Sequence, residues 1–149
     1  MRRAILFLTL TLPGPAAAQL RLPVIIPLGR SSAPPQLMGI DALRADFLAR
    51  AGTDTVYFGS DSAVIGAPAQ ATLQAQAMWL RQHPEAVVRI EGHADPSDTR
   101  DHALAIGARR AEEVRNYLVL LGVPAAQLST MSWGKERPGL PRAVTVLVR

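Results

Sequence analysis

Two long helical patterns, each stopped by glycine or proline and followed by a β-branched run, restrict this chain to an alternation of helix and strand. The first pattern covers residues 68–82. Pro68 suits a first helical turn, Leu73, Ala77 and Leu80 share one face, and His83-Pro84 ends the run. The second covers about residues 104–121, with Ala111, Val114, Leu118 and Leu121 as its apolar stripe. Gly122 caps it and Pro124 prevents its continuation. A shorter helix over 41–50 precedes both: Asp41 is its expected N-cap, Leu43 and Phe47 stand at i,i+4, and Gly52 closes it. Strands are expected at 55–58, 87–91, 129–133 and 143–148 from their β-branched and aromatic content. In the second of these, Val88 and Ile90 face one way, Arg89 and Glu91 the other. The order β-α-β-α-β-β predicts an α+β domain, a four-stranded mixed sheet with helices packed on one face.

The domain is expected to begin only after two removable or extended stretches. Residues 1–18 have the three parts of a secretory signal peptide: Arg2 and Arg3, an apolar run over 4–12, and Ala16-Ala17-Ala18 ahead of Gln19. A buried helix and an uncleaved anchor are the alternatives, although a span needs about 20 apolar residues. Residues 19–40 hold Pro23, Pro27, Pro34 and Pro35 with Ser31 and Ser32, which reads as an extended linker. The domain is then 41–149, and no later segment is long enough to span a membrane. The net charge of +4 falls to +2 once Arg2 and Arg3 leave. The basic residues are fifteen Arg and one Lys without a run of like charges, so nucleic acid is not an expected partner. The 149 residues contain no cysteine, which excludes a disulfide scaffold, a cysteine zinc site, a cysteine nucleophile and a cysteine-borne lipid among them.

The polar peak of the chain is Glu91-Gly92-His93-Ala94-Asp95-Pro96-Ser97-Asp98-Thr99-Arg100-Asp101-His102. Four readings compete there. Two His and three Asp within ten residues suggest metal ligands, but the spacing matches no metal motif and Pro96 interrupts it. His93 with Asp95 resembles a base and its orienter, with no activated serine nearby. A solvated loop whose Asp caps the next helix is the plain alternative. The last reading is recognition of a zwitterion. Asp95 ends a strand and Arg110 follows fifteen residues on, within the first turns of a helix. A carboxylate and a guanidinium facing one cleft suit a ligand with an ammonium beside a carboxylate.

The run IEGHADPSDTRDHALAIGARR, followed by Ala111, resembles the central motif of the OmpA-like peptidoglycan-binding domains, and most of all the peptidoglycan-associated lipoprotein branch. The likeness continues through Tyr117-Leu118, Leu121-Gly122-Val123 and Trp133-Gly134-Lys135-Glu136-Arg137-Pro138. Upstream, Val56-Tyr57-Phe58-Gly59-Ser60-Asp61-Ser62-Ala63 is similar to the family's first strand and loop. This resemblance implies a non-enzymatic, cofactor-free domain that holds the peptidoglycan stem peptide in the periplasm, associated with the cell wall and outer membrane. It implies that Asp95 meets the free ammonium of diaminopimelate, that Arg110 meets the neighbouring carboxylate, and that Asp61 and Arg142 add contacts. His93 is expected to order the loop, Arg109 to be a surface or structural charge, and Trp79 and Trp133 to be structural.

The chain departs from the family's pattern at four places. Asp98 stands where a glycine is usual, and an extra acid there would repel a ligand carboxylate or recruit its ammonium. Ala103 replaces an asparagine, Gly59 replaces an acid, and only Gly139, Leu140 and Pro141 separate Pro138 from Arg142. These departures leave an alternative function open: a degenerate module that acts as a protein-interaction subunit among periplasmic or outer-membrane envelope proteins, without wall binding.

Overall fold

The structure, a computed structural model, describes residues 39–149. The expected signal peptide and nearly all of the expected linker lie outside the described residues. Three helices and four strands follow in the order α1 (Ile40–Ala51), β1 (Thr55–Tyr57), α2 (Ala67–Gln82), β2 (Val88–His93), α3 (Arg100–Leu120), β3 (Leu128–Gly134) and β4 (Arg142–Leu147). A short 3₁₀ turn, Ala125–Gln127, leads into β3. No helix among the described residues is long and apolar enough to cross a membrane.

The α+β class and the four-stranded mixed sheet are as the sequence predicts. The strand order is β1-β4-β2-β3. β2 and β3 run parallel, and α3 is the crossover that a parallel pair requires. β4 returns antiparallel between β2 and β1. Val88, Ile90, Ala143 and Leu147 point to the helical side and share one core with Phe47, Leu73, Leu80, Ala111, Val114 and Leu118.

Local chemistry explains most element boundaries. Leu43, Phe47 and Ala51 form the buried stripe of α1, and Gly52 ends it at φ 78° with its N–H on the Leu48 carbonyl, 3.0 Å away. Gly39, not Asp41, is the N-cap; Asp41 sits in the first turn, where its charge suits the helix dipole. α2 buries Ala69, Leu73, Ala77 and Leu80. Trp79 is structural, as expected: its Nε1 donates to Asp46 Oδ2 at 2.7 Å, and its ring meets Phe47 edge-on.

α3 begins about one turn earlier than the start expected near residue 104. Arg100, Asp101 and His102 form that first turn, and the Ala103 N–H donates to the Thr99 carbonyl at 2.8 Å. β2 runs two residues further than its β-branched stretch, through Gly92 to His93. Glu91 faces away from the helices, as the alternation predicts, yet it is buried. Arg89 binds its Oε1 at 2.7 Å and Arg137 its Oε2 at 3.0 Å, and Arg137 stacks on Trp133 with 3.8 Å to the ring centre. The short segment after β3 therefore covers part of the outer face.

Candidate functional site

The contact of α3 with β2 determines where the charged groups gather. Gly92 and Gly107 let the helix and strand backbones approach within a distance that no larger residue allows: a Cβ on Gly92 would collide with the Gly107 carbonyl. Arg110 follows one turn beyond Gly107 and so arrives at the carboxyl end of β2, where Asp95 lies.

Arg110 is 1% exposed. Its Nε donates to the Ser62 carbonyl at 2.7 Å, Nη1 to the His93 carbonyl at 2.8 Å and Nη2 to the Gly59 carbonyl at 3.0 Å. The guanidinium thus ties the loop after β1 to the end of β2. Five hydrogens less these three bonds leave one on each terminal nitrogen without a partner among the described residues. Burial lowers the Arg110 pKa, while Asp98, Asp61 and Asp95 oppose that shift. The sequence places Arg110 in the first turns of its helix; the earlier start of α3 puts it near the middle instead. Its burial fits its spacing, four residues before Val114 and three after Gly107, on the inward face of α3.

Asp95 is half-buried. Its Oδ1 accepts from the Ser97 N–H at 2.9 Å and from the Ser97 hydroxyl at 2.7 Å. Oδ2 has no hydrogen-bond partner among the described residues. The two Ser97 bonds, and then the Arg110 charge, hold the carboxyl below the usual aspartate range. The turn that caps Ser97 is therefore present, and the Arg110 charge acts on Asp95 without an ion pair or hydrogen bond between the two.

Asp61 joins the same cluster from the loop after β1. Its φ of 51° is the only positive value outside glycine among the described residues, and its side chain is 70% exposed. His102 Nε2 lies 2.7 Å from Asp61 Oδ1. No sequence signal marked His102 for this pairing, because the two residues are 41 positions apart. Arg142 is not brought to the cluster. It pairs in register with His93 and Tyr57 on the face away from the helices, and its Nη1 donates to the Leu140 carbonyl. Arg109 is an exposed residue of α3, as expected. Beside Asp61, a groove of 590 Å³ runs between the loop after β1 and α3, past Val64, Ile65 and Gln70 on one side and Arg109, Glu113 and Tyr117 on the other.

His93 orders this end of β2 through its backbone, which accepts from Arg110, while its ring is 2% exposed. No hydrogen bond joins His93 to Asp95, and among the described residues no three His, Asp or Glu side chains converge as metal ligands. Burial first, and then the Arg142 charge, lower the His93 pKa from 6.5 to about 4. The unfolded chain binds this proton near the ordinary value, so between about 6.5 and 4 it holds more protons than the folded domain. Stability is then fully present at pH 7 and falls as pH drops through this window, by up to about 3 kcal/mol from this group. A ring-proton NMR titration of His93 is expected to give a midpoint near 4; a midpoint near 6.5 contradicts the assignment.

Ala103 has a structural role where the usual asparagine is absent. It is fully buried with Ala94 and Ile106 in a small apolar cluster under the loop, with Ala63 packed against it.

Residues 57–144 match the sequence profile of the OmpA family. The chain belongs to the OmpA family. The matched stretch of this OmpA-family chain contains Asp61, Asp95, Arg110 and Arg142. The chain is 50% identical over 93 residues to the peptidoglycan-associated lipoprotein of Rhizobium meliloti, which covers 62% of this chain and 52% of that protein. The corresponding protein of Pseudomonas aeruginosa is 41% identical over 99 residues, covering 66% and 58%. The chain thus spans about half the length of these relatives. The crystal structure of the peptidoglycan-associated lipoprotein from Burkholderia pseudomallei superposes with a TM-score of 0.62 at 38% identity, over 64% of this chain and 91% of that one. The C-terminal domain of Helicobacter pylori MotB, at 19% identity and a TM-score of 0.58, shares the OmpA-family fold, over 65% of this chain and 84% of that one.

Proposed function

We propose that this domain binds peptidoglycan non-covalently, in the periplasm, by holding the diaminopimelate of the stem peptide. The observation that supports this most is the convergence of Asp95 and Arg110 at the carboxyl end of β2, where each charge favours the ionised form of the other. The family membership, and relatives named for their association with peptidoglycan, support the same reading. Asp95 receives the ligand ammonium on its unpaired Oδ2. Arg110 offers its two remaining hydrogens to the neighbouring carboxyl group. Asp61 flanks the mouth, and Arg142, the first residue of β4, serves as an outer contact for parts of the ligand beyond this cluster. The groove beside Asp61 gives the rest of the stem peptide a path along α3. The function is retention, with no bond made or broken.

The test is co-sedimentation with purified sacculi. Asp95→Asn keeps an oxygen for both Ser97 bonds and removes only the charge. A charge-assisted bond contributes about 1.5–3 kcal/mol, so affinity is expected to fall about tenfold or more. Sedimentation of Asp95→Asn equal to that of the parent would show that Asp95 does not hold the ligand. A parent that fails to sediment, yet captures a periplasmic protein, would transfer the assignment to an interaction module.

A further inference from the structure

The sheet has two edges, and they are guarded unequally. β1 is three residues long. β3 is seven long, Leu-Ser-Thr-Met-Ser-Trp-Gly, and β2 is its only strand partner among the described residues. An edge strand is usually protected by a charge, a proline, a bulge or a covering element. β3 has no charge and no proline. Its bulge comes late, with Trp133 as the extra residue between the pairs Gly92–Ser132 and His93–Gly134. The regular part is therefore 128–132, centred on Thr130, and Ser129, Thr130 and Met131 are exposed along it.

The side of α3 above this edge is open as well. A groove of 490 Å³ lies between the two, walled by Ala108, Arg109, Glu112 and Glu113 on the helix and by Thr130 and Met131 on the strand. Helix and strand run in opposite directions. A Cβ on Gly107 would strike Ser132 Oγ, and Thr130 Oγ1 donates to Glu112 Oε2 at 3.4 Å. The level of Thr130 on the helix thus falls at Ala111 and Glu112. Spaced about this level, one strip of α3 carries Leu104, Ala108, Glu112, Arg115 and Val119. Its two ends are apolar yet open to solvent: Leu104 is 37% and Val119 40% exposed.

A two-fold axis normal to the sheet at Thr130 lays a second β3 antiparallel on the first. Side chains alternate along a strand, so an axis level with a residue brings like faces together, and an axis between two residues does not. Thr130 then stands opposite Thr130 of the second copy, a favourable cross-strand pair, and Ser129 stands opposite Met131. The two α3 helices come side by side in opposite directions. Leu104 of each copy meets Val119 of the other, and Arg115 meets the small Ala108. Glu112 approaches the axis already held by its own Arg115 at 3.2 Å. Arg109 and Arg115 offset Glu112 and Glu113, so this face repels no second copy. A surface that complements itself about an axis is the condition for an isologous interface.

We propose that the free edge of β3 and the strip of α3 above it form a two-fold interface between two copies of this chain, joining their four-stranded sheets into one. The chain has no cysteine, so a single introduced thiol reports on the axis. Residues directly opposite on antiparallel strands have Cα atoms about 4.5–5.5 Å apart, a separation that a disulfide spans. Mild oxidation of Thr130→Cys with oxidised glutathione is expected to give a covalent dimer much faster than that of Met78→Cys, whose site is exposed on α2. Sedimentation velocity over a concentration series is expected to show the parent in a monomer–dimer equilibrium. Thr130→Glu sets like charges at the axis and is expected to weaken that equilibrium about tenfold. A parent that stays monomeric at every concentration overturns the proposal, and so does a Thr130→Cys that couples no faster than Met78→Cys. A dimer unaffected by Thr130→Glu has its interface elsewhere and overturns it too. None of these outcomes bears on the peptidoglycan reading, which the proposal does not use.

Discussion

Replacing Arg110 with methionine is expected to destabilise the domain by about 4 kcal/mol, in addition to any effect on binding. The reason is the number of groups left behind. The carbonyls of Gly59, Ser62 and His93 each lose a charged donor at once. The His93 carbonyl is buried and the other two bonds are partly buried; an unsatisfied buried polar group costs about 1–3 kcal/mol, and methionine recovers only part of the packing. The Phe58 ring also loses the cation that lies 5.6 Å from its centre. Against the roughly 5–15 kcal/mol that stabilises a domain, this is a large fraction. Urea unfolding measures it directly. A variant within about 1 kcal/mol of the parent would show that the loop after β1 does not depend on the guanidinium. The consequence for function is practical: lost wall binding in an Arg110 variant does not identify a ligand contact until folding has been checked. Asp95→Asn is the cleaner probe, because Asp95 is not buried beneath the two loops.

Gly92→Ala is expected to have an effect of similar size through sterics. The added Cβ would collide with the Gly107 carbonyl oxygen, stand 2.7 Å from the carbonyl carbon and 3.2 Å from the Ala111 Cβ. The two Gly107 atoms belong to the backbone of a helix packed across its length, so they cannot swing aside. α3 must retreat from β2, and its stripe of Ala111, Val114 and Leu118 retreats with it. Overpacking of this kind costs about 3 kcal/mol. Because Arg110 is fixed to the same helix, its three carbonyl bonds are expected to lengthen together, so stability and binding fall in one step. Gly59→Ala is the control. Its Cβ would meet nothing closer than the Ser62 Cβ at 3.7 Å, an ordinary contact, and the variant is expected to unfold like the parent. A parent-like midpoint for Gly92→Ala would contradict the close approach of α3 to β2.

The alternation of apolar stripes and β-branched runs makes the architecture legible in the sequence itself. Leu43 and Phe47, Leu73 and Leu80, and Val114 and Leu118 all face the core as their spacing required. Boundaries were less legible where structure is held by polar chemistry. The first turn of α3 has no apolar residue, and β2 ends in Gly92-His93, which lacks strand propensity. The pairing partners of buried charges were not legible at all. Buried Glu91 is neutralised by Arg137 from 46 residues away, and even exposed Asp61 meets its partner His102 from 41. Such partners depend on which loops the sheet order brings together. Arg110 is the instructive case. Motif likeness pointed to it as a ligand contact, and its role as a buried clamp emerged only from the structure, which sets it on the inward face of α3 between Gly107 and Val114.

On the proposed function, this domain holds the stem peptide and not the glycan strand. Co-sedimentation with sacculi before and after removal of the stem peptides by an amidase tests it most directly. Retention on intact sacculi and loss of retention on the stripped glycan is the predicted result. Equal retention on both would contradict it.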